Sequence, residues 1–177
     1  MRRVLGPFSP AFFPFCPLSL YRGAARCIKS LKYKNRRMLA EPLGRLLSFE
    51  LKKAAEVDLV APVPLHKRRL RKRGFNQAAL LLSCAEKDFS FAVDYHLLKR
   101  KRETASQAGL SRKGRLRNVK GAFVVPCKEK VKGKRVLLVD DVYTTGATLT
   151  ACAHALRRAG ALAVTAVVLA RRDMDGA

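Results

Sequence analysis

Apolar positions along this chain follow two patterns, one at helical spacing and one in short unbroken runs. In residues 21–34, Ala24, Ile28 and Leu31 lie on one side. In residues 36–55, Leu39, Leu43, Leu46, Leu47, Leu51 and Ala54 form a stripe. Both stretches predict amphipathic helices. Pro42 starts the second helix near Glu41 or kinks it there. Residues 75–87 repeat the pattern with Ala78, Leu81, Leu82 and Ala85 inward. A further helix follows residue 148, with Leu149, Cys152, Ala153 and Leu156 on one face and Gly160 suited to the left-handed position that ends it. Between these stand continuous apolar runs at 57–63, 136–139 and 161–170, which read as buried strands, the first ending at Pro64. Shorter strands are expected at 93–98 and 121–125. Residues 1–20 are rich in Phe and Pro without period, and are expected to be an irregular lead segment. Residues 21–177 then form a single domain without internal repeats.

Two polar segments interrupt the pattern. In residues 66–77, six of the eight residues from His66 to Arg73 are Lys or Arg, and Gly74 follows. This reads as a basic loop just past a strand end, where α/β sheets place ligands. Arg73 and Gly74 are candidates to cradle a pyrophosphate, against the alternative of a solvated charged loop. Residues 99–120 are basic and aperiodic, with Gly109 and Gly114 as hinges, and a loop this long is usually functional or disordered. A charged turn is expected at 126–135.

Residues 136–148 carry the most specific chemistry. The strand Val136–Val139 leads into Asp140 and Asp141, then into the turn Thr144-Thr145-Gly146-Ala147-Thr148. A tight turn between a strand and a helix presents unpaired amides backed by the helix dipole, and that binds phosphate. Gly146 lets the backbone approach the anion, and the threonines add hydroxyl donors. The carboxylates repel phosphate but suit sugar hydroxyls or a divalent cation. A sugar phosphate fits both halves.

Charge widens the picture. Of 177 residues, 37 are Lys or Arg and 13 Asp or Glu, a formal net charge of +24. The surplus over the needs of a sugar phosphate reads either as a surface for a polyanion such as nucleic acid or as a surface that serves solubility. With no Trp, four Tyr and nine Phe, stacking platforms for single strands are few, which leaves backbone electrostatics. Five cysteines show no CxxC, so no disulfide framework is expected and a reducing cytoplasm is. Cys84 and Cys152 fall on apolar helix faces. His66 and His96 stand alone, without metal-ligand spacing. No run approaches the ~20 apolar residues that span a bilayer. Met1-Arg2-Arg3 imitates a secretion signal, but Pro7, Pro10, Pro14 and Pro17 break the apolar segment behind it.

The stretch VLLVDDVYTTGATL, residues 136–149, resembles the signature of type I phosphoribosyltransferases, which bind phosphoribosyl pyrophosphate (PRPP). The resemblance implies an α/β fold with a mainly parallel sheet, helices on both faces and a basic flexible loop. It implies that Asp140 and Asp141 hold the ribose 2- and 3-hydroxyls and that Thr144, Thr145, Gly146, Ala147 and Thr148 wrap the 5-phosphate. Loop 99–120 would close over PRPP and exclude water, with Lys101 and Arg102 neutralising the departing pyrophosphate. Mg2+ would come with PRPP rather than be held by protein side chains alone.

Further stretches, YRGAARCIKSLKYK (21–34), DLVAPVPLHKRRLRKRGFNQA (58–78) and LLKRKRETASQAGLSRKGRLRNVKGAF (97–123), are similar to the ComF competence-protein family. That family implies a cytoplasmic protein linked to DNA uptake in transformation or to nucleic-acid utilisation, with single-stranded DNA and a competence-machinery protein as partners. Catalysis is a separate question. The alternative is an active transferase that moves the 5-phosphoribosyl group from PRPP to a nitrogen acceptor and releases pyrophosphate, and a PRPP sensor would use the same site. Two departures from the family bear on this. Cys16 and Cys27 are too few for the four-ligand zinc segment that members often carry, so no zinc is expected. Thr144 stands where some base-salvage enzymes have a carboxylate, which argues against purine salvage.

Overall fold

The computed structural model describes residues 12–15, 22–34, 36–54, 56–103 and 112–171. Its centre is a four-stranded, wholly parallel sheet. The strands are β1 (Phe12–Phe15), β2 (Leu59–Pro62), β5 (Arg135–Tyr143) and β6 (Ala163–Arg171), in the order β1-β6-β5-β2. A two-stranded antiparallel ribbon, β3 (Lys99–Arg100) with β4 (Phe123–Val124), stands apart from it.

The apolar runs form strands because both sheet faces are covered. On one face α1 (Arg22–Lys34), α2 (Ala40–Leu51) and α4 (Gln77–Ala85) bury Ile28, Leu31, Leu47 and Leu81 against Val60, Leu137, Val139 and Leu169. On the other, α6 (Ala147–Arg158) buries Leu149, Cys152 and Leu156 against Ala61, Val136, Leu138 and Ala166. Burying a leucine or isoleucine fully is worth about 1.5–3 kcal/mol, so two such layers account for the fold without disulfides. The four cysteines among the described residues are free. Where α2 crosses α4, a Cβ at Gly44 would collide with the Cβ of Cys84. At the opposite end of the sheet from the strands' C-termini, Asp58 grips Arg135. Its Oδ2 accepts from the backbone amide at 2.7 Å and from Nε at 3.0 Å, and its Oδ1 from the guanidinium at 2.9 Å.

Several expectations change. The lead segment 1–20 contains a strand, because Phe12–Phe15 pairs with Val164–Val167. The rest of it, 1–11 and 16–20, lies outside the described residues. The expected basic loop at 66–77 is mostly a helix, α3 (Lys67–Arg73), capped by His66 and closed by Gly74 at φ 81°. Residues 93–98 are a turn with one bridge, Val60 to Val93, because Asp94 binds the amide of His96 and bends the chain. The stretch 99–120 holds β3 and α5 (Arg112–Val119), while 104–111, with Gly109, lies outside the described residues. Finally, β5 does not stop at Val139 but continues through both acidic residues to Tyr143.

Candidate functional site

The C-terminal ends of β2 and β5 meet at one edge of the sheet, and the site starts there. Pairing between these strands continues one step past β2, with the Val63 amide donating to the Val139 carbonyl at 2.8 Å. Pro64 then ends it, so β5 runs on with β6 as its partner. In that overhang lie Asp140 and Asp141. The ladder skips the pair Asp141–Leu169, and the alternation of faces resets. Val139 and Val142 both pack with the α1-α2-α4 layer, while Leu138 and Tyr143 both pack with α6. Each carboxylate takes up an amide of the irregular step. Asp140 Oδ1 accepts from the Asp141 amide at 2.9 Å, and Asp141 Oδ1 accepts from the Val142 amide at 2.8 Å.

The two acids are not equivalent. Asp141 is 3% exposed, and the ammonium of Lys32, near the end of α1, sits on its Oδ2. Asp140 keeps part of its surface open. Desolvation, and then the neighbouring Asp141 charge, raise its pKa far above the usual carboxylate range, with Lys32 acting in the opposite sense. With Lys32 neutralising Asp141, any net negative charge the pair presents to a ligand is carried by Asp140 in its ionised form.

After three residues beyond β5, Thr144 to Gly146, the chain enters α6. Gly146 sits at φ 74° and is the residue before the first helical turn, which contains no acid. Among the described residues, no backbone carbonyl accepts from the amides of Thr145, Gly146 or Ala147. The Thr145 hydroxyl is buried and has no hydrogen-bond partner. Buried donors are almost always satisfied, so a cluster of open ones at a 12-residue helix start is a place for an anion. Gly146 has an additional reason to be glycine: a Cβ there would lie 2.8 Å from the Tyr143 hydroxyl and 3.0 Å from its ring.

The other predicted residues are placed differently. Arg73 donates to Gln77 Oε1 at 2.6 Å and lies over the Tyr33 ring, 5.8 Å from its centre. Gly74 closes α3, its amide donating to the Leu70 carbonyl at 2.7 Å. Phe75 lies under Arg37. Asn76 caps α4 and ties it to the Val63 carbonyl at 3.0 Å. The RGFNQ segment is therefore a joint between two helices and the end of β2. Arg73 and Gly74 both serve that joint. Arg102 donates to the carbonyls of Asn118 and Lys120 at 3.1 and 2.8 Å, which clasps the C-terminal end of α5. Lys101 is exposed, and its backbone pairs with Ala122.

Sequence reasoning missed Lys32 and Tyr143. Lys32 lies four residues after Ile28, on the stripe that α1 buries. A lysine continuing an apolar stripe calls for a buried acid, and that was the available signal. Among the described residues no three His, Cys, Asp or Glu side chains converge on a metal position, and no helix is long and apolar enough to cross a membrane.

Comparison with known proteins bears on the same region. The model of the phosphoribosyl transferase domain matches residues 75–176. The DNA utilization protein YhgH of Escherichia coli K12 is 38% identical over 150 residues, covering 81% of this chain and 65% of that protein. The competence protein F of Haemophilus influenzae is 34% identical over 151 residues, covering 81% and 66%. The chain thus spans about two thirds of the length of these relatives. Among solved structures, glutamine PRPP amidotransferase from B. subtilis aligns over 73% of this chain and 26% of its own, at 23% identity and a TM-score of 0.49. The domain match takes in α4, the acidic pair, the turn and α6, and with the two relatives it shows that this chain belongs to the phosphoribosyltransferase domain family, in its ComF branch.

Proposed function

We propose that the chain binds PRPP or a closely related sugar phosphate at the end of β5, and that it does so within a role in DNA uptake or nucleic-acid utilisation. The observation that carries the first part is the open set of donors at the start of α6: three backbone amides without carbonyl partners beside the buried, unpaired Thr145 hydroxyl. The 5-phosphate sits on Thr144, Thr145, Gly146, Ala147 and Thr148. The ribose hydroxyls meet Asp140, the more accessible acid, with Asp141 behind it under Lys32. Side chains alone do not form a magnesium cage among the described residues. Asp140, the more open acid, would be the side chain to hold a Mg2+ that comes with PRPP, and the ion would supply neutralisation of phosphate charge. The second part draws on the names of the relatives, and on the formal charge of +24, which fits contact with single-stranded DNA. A cytoplasmic location and a competence-machinery partner belong to the same proposal.

The test is thermal denaturation with PRPP and magnesium. A ligand that binds the native state raises its melting temperature by mass action. Protection is expected in the wild-type chain and is expected to vanish when Asp140→Asn is combined with Asp141→Asn. Full protection in that double variant overturns the assignment. Transfer is tested separately. Pyrophosphate release from PRPP in the presence of any nucleobase establishes it, and no release with any of them leaves PRPP as a bound ligand only.

A further inference from the structure

A cleft of about 450 Å³ lies between the outer face of α6 and the segment that leads from α5 into β4. That volume is in the range of sites for small organic ligands. The cleft touches the phosphate turn only at Ala147. From there it follows α6 to Arg158, a length of about 16 Å at the helical rise.

Its lining has two chemistries. The floor is apolar, with Val119, Phe123, Ala151 and Ala155 packed on the core beneath. The rim carries three cations, Arg117 and Lys120 on one side and Arg158 on the other, with the His154 imidazole beside Arg158, all exposed. No acidic residue is among the described residues that line it. Among the described residues, no carboxylate pairs with Arg117, Lys120 or Arg158. Cations spread over a convex surface are solvated individually. Here three converge on one concavity, where their fields add over a low-dielectric floor. The matching ligand has an anionic group for the rim and a flat, weakly polar body for the floor. A bare sugar phosphate lacks the body, and inorganic phosphate would leave the floor wet.

We propose that this cleft is a second ligand site, separate from the turn, and that it takes a nucleoside phosphate, either free or as one unit of a single strand. The base lies on the floor and the phosphate meets Lys120 and Arg158. This assignment rests on the cleft's own geometry, so it stands whether or not PRPP binds at the turn.

The experiment uses the full chain and equilibrium dialysis at fixed salt, with labelled dAMP in one arm and a labelled ten-nucleotide oligo-dA in the other. Two variants act on the cleft by different means. Lys120→Glu with Arg158→Glu reverses the rim, and Ala151→Phe fills the floor without changing charge. Both are expected to weaken dAMP binding at least tenfold and to leave the stabilisation by PRPP at its wild-type value. If oligo-dA weakens in parallel, the occupant is a unit of a strand, and if it does not, the occupant is a free nucleotide. The proposal is overturned if the wild type does not bind dAMP, or if Ala151→Phe binds it normally, since a response of the charge variant alone would be general electrostatics. It is equally overturned if PRPP stabilisation falls with dAMP binding in folded variants, because the two ligands would then share the turn. Should Ala151→Phe fail to fold, Ala155→Phe fills the same floor from one turn along α6.

Discussion

Asp140 and Asp141 are neighbours in sequence with opposite circumstances. Asp141 is buried against Lys32, and removing one partner of a buried pair typically costs about 3–5 kcal/mol because the other charge is stranded. Lys32→Met is expected to destabilise the fold by that order in urea denaturation. Lys32→Met with Asp141→Asn is expected to recover most of the loss, and the coupling from the double-mutant cycle measures it. Asp140 works the other way. Its folded-state pKa is raised to about 8 by burial and by Asp141, whereas an unfolded aspartate titrates near 4. Between those values the native state binds more protons than the unfolded chain, so stability falls as pH rises through the window. Asp140→Asn should flatten that slope and raise the melting temperature at pH 8 by about 2–4 °C, the shift that roughly 1 kcal/mol produces in a domain of this size. The same variant should lose protection by PRPP. A destabilising carboxylate retained at a ligand site is the mark of a group kept for binding.

Among the elements, the turn between β5 and α6 and the clasp on α5 are the informative ones. Gly146 needs a left-handed backbone, which costs an L-residue about 1–2 kcal/mol, and the Tyr143 ring fills the space where a side chain would begin. Gly146→Ala is therefore expected to cost more than that figure in denaturation and to abolish PRPP protection. Arg102 satisfies two carbonyls at the end of α5, and Arg102→Ala should cost about 1 kcal/mol in stability while PRPP affinity stays at the wild-type value. A large loss of PRPP affinity would show that the guanidinium leaves its clasp to meet the ligand. These elements also show what was legible in sequence. The strands β2, β4, β5 and β6 were, as short apolar runs, and so were the α1, α2, α4 and α6 helices, each with an apolar face of one period. Strands β1 and β3 were not, because Phe12–Phe15 sits in a Pro-rich stretch without period and Lys99–Arg100 is wholly charged. The helix α3 was not, because seven residues with only Leu70 apolar have no buried face to reveal a period. Its signals were local instead: His66 as a cap and Gly74 as a stop. The turn 144–148 was legible because Thr and Gly there have no role in a core. Lys32 was not assigned, because its partner lies more than a hundred residues away, and only the packing of α1 on the sheet brings them together.

For the molecule as a whole, charge is the dominant property. At +24, affinity for a single strand that comes from phosphate contacts should fall steeply with salt, by a power of salt concentration close to 0.7 for each phosphate neutralised. Binding of oligo-dA measured between 50 and 200 mM salt checks this, and a flat response would remove backbone electrostatics as the source of any binding.

The fork between Asp58 and Arg135 closes β2 onto β5 at the end of the sheet farthest from the turn. It holds the Asp58 carboxyl well below the usual range, with the arginine hydrogen bonds as the main cause. Its contribution is complete above an unfolded aspartate's pKa near 4, and it fades as pH drops toward the lower folded value. Acid below about pH 4 therefore loosens the foot of the molecule, far from its mouth, and an engineer could tune robustness and ligand grip at opposite poles of one sheet.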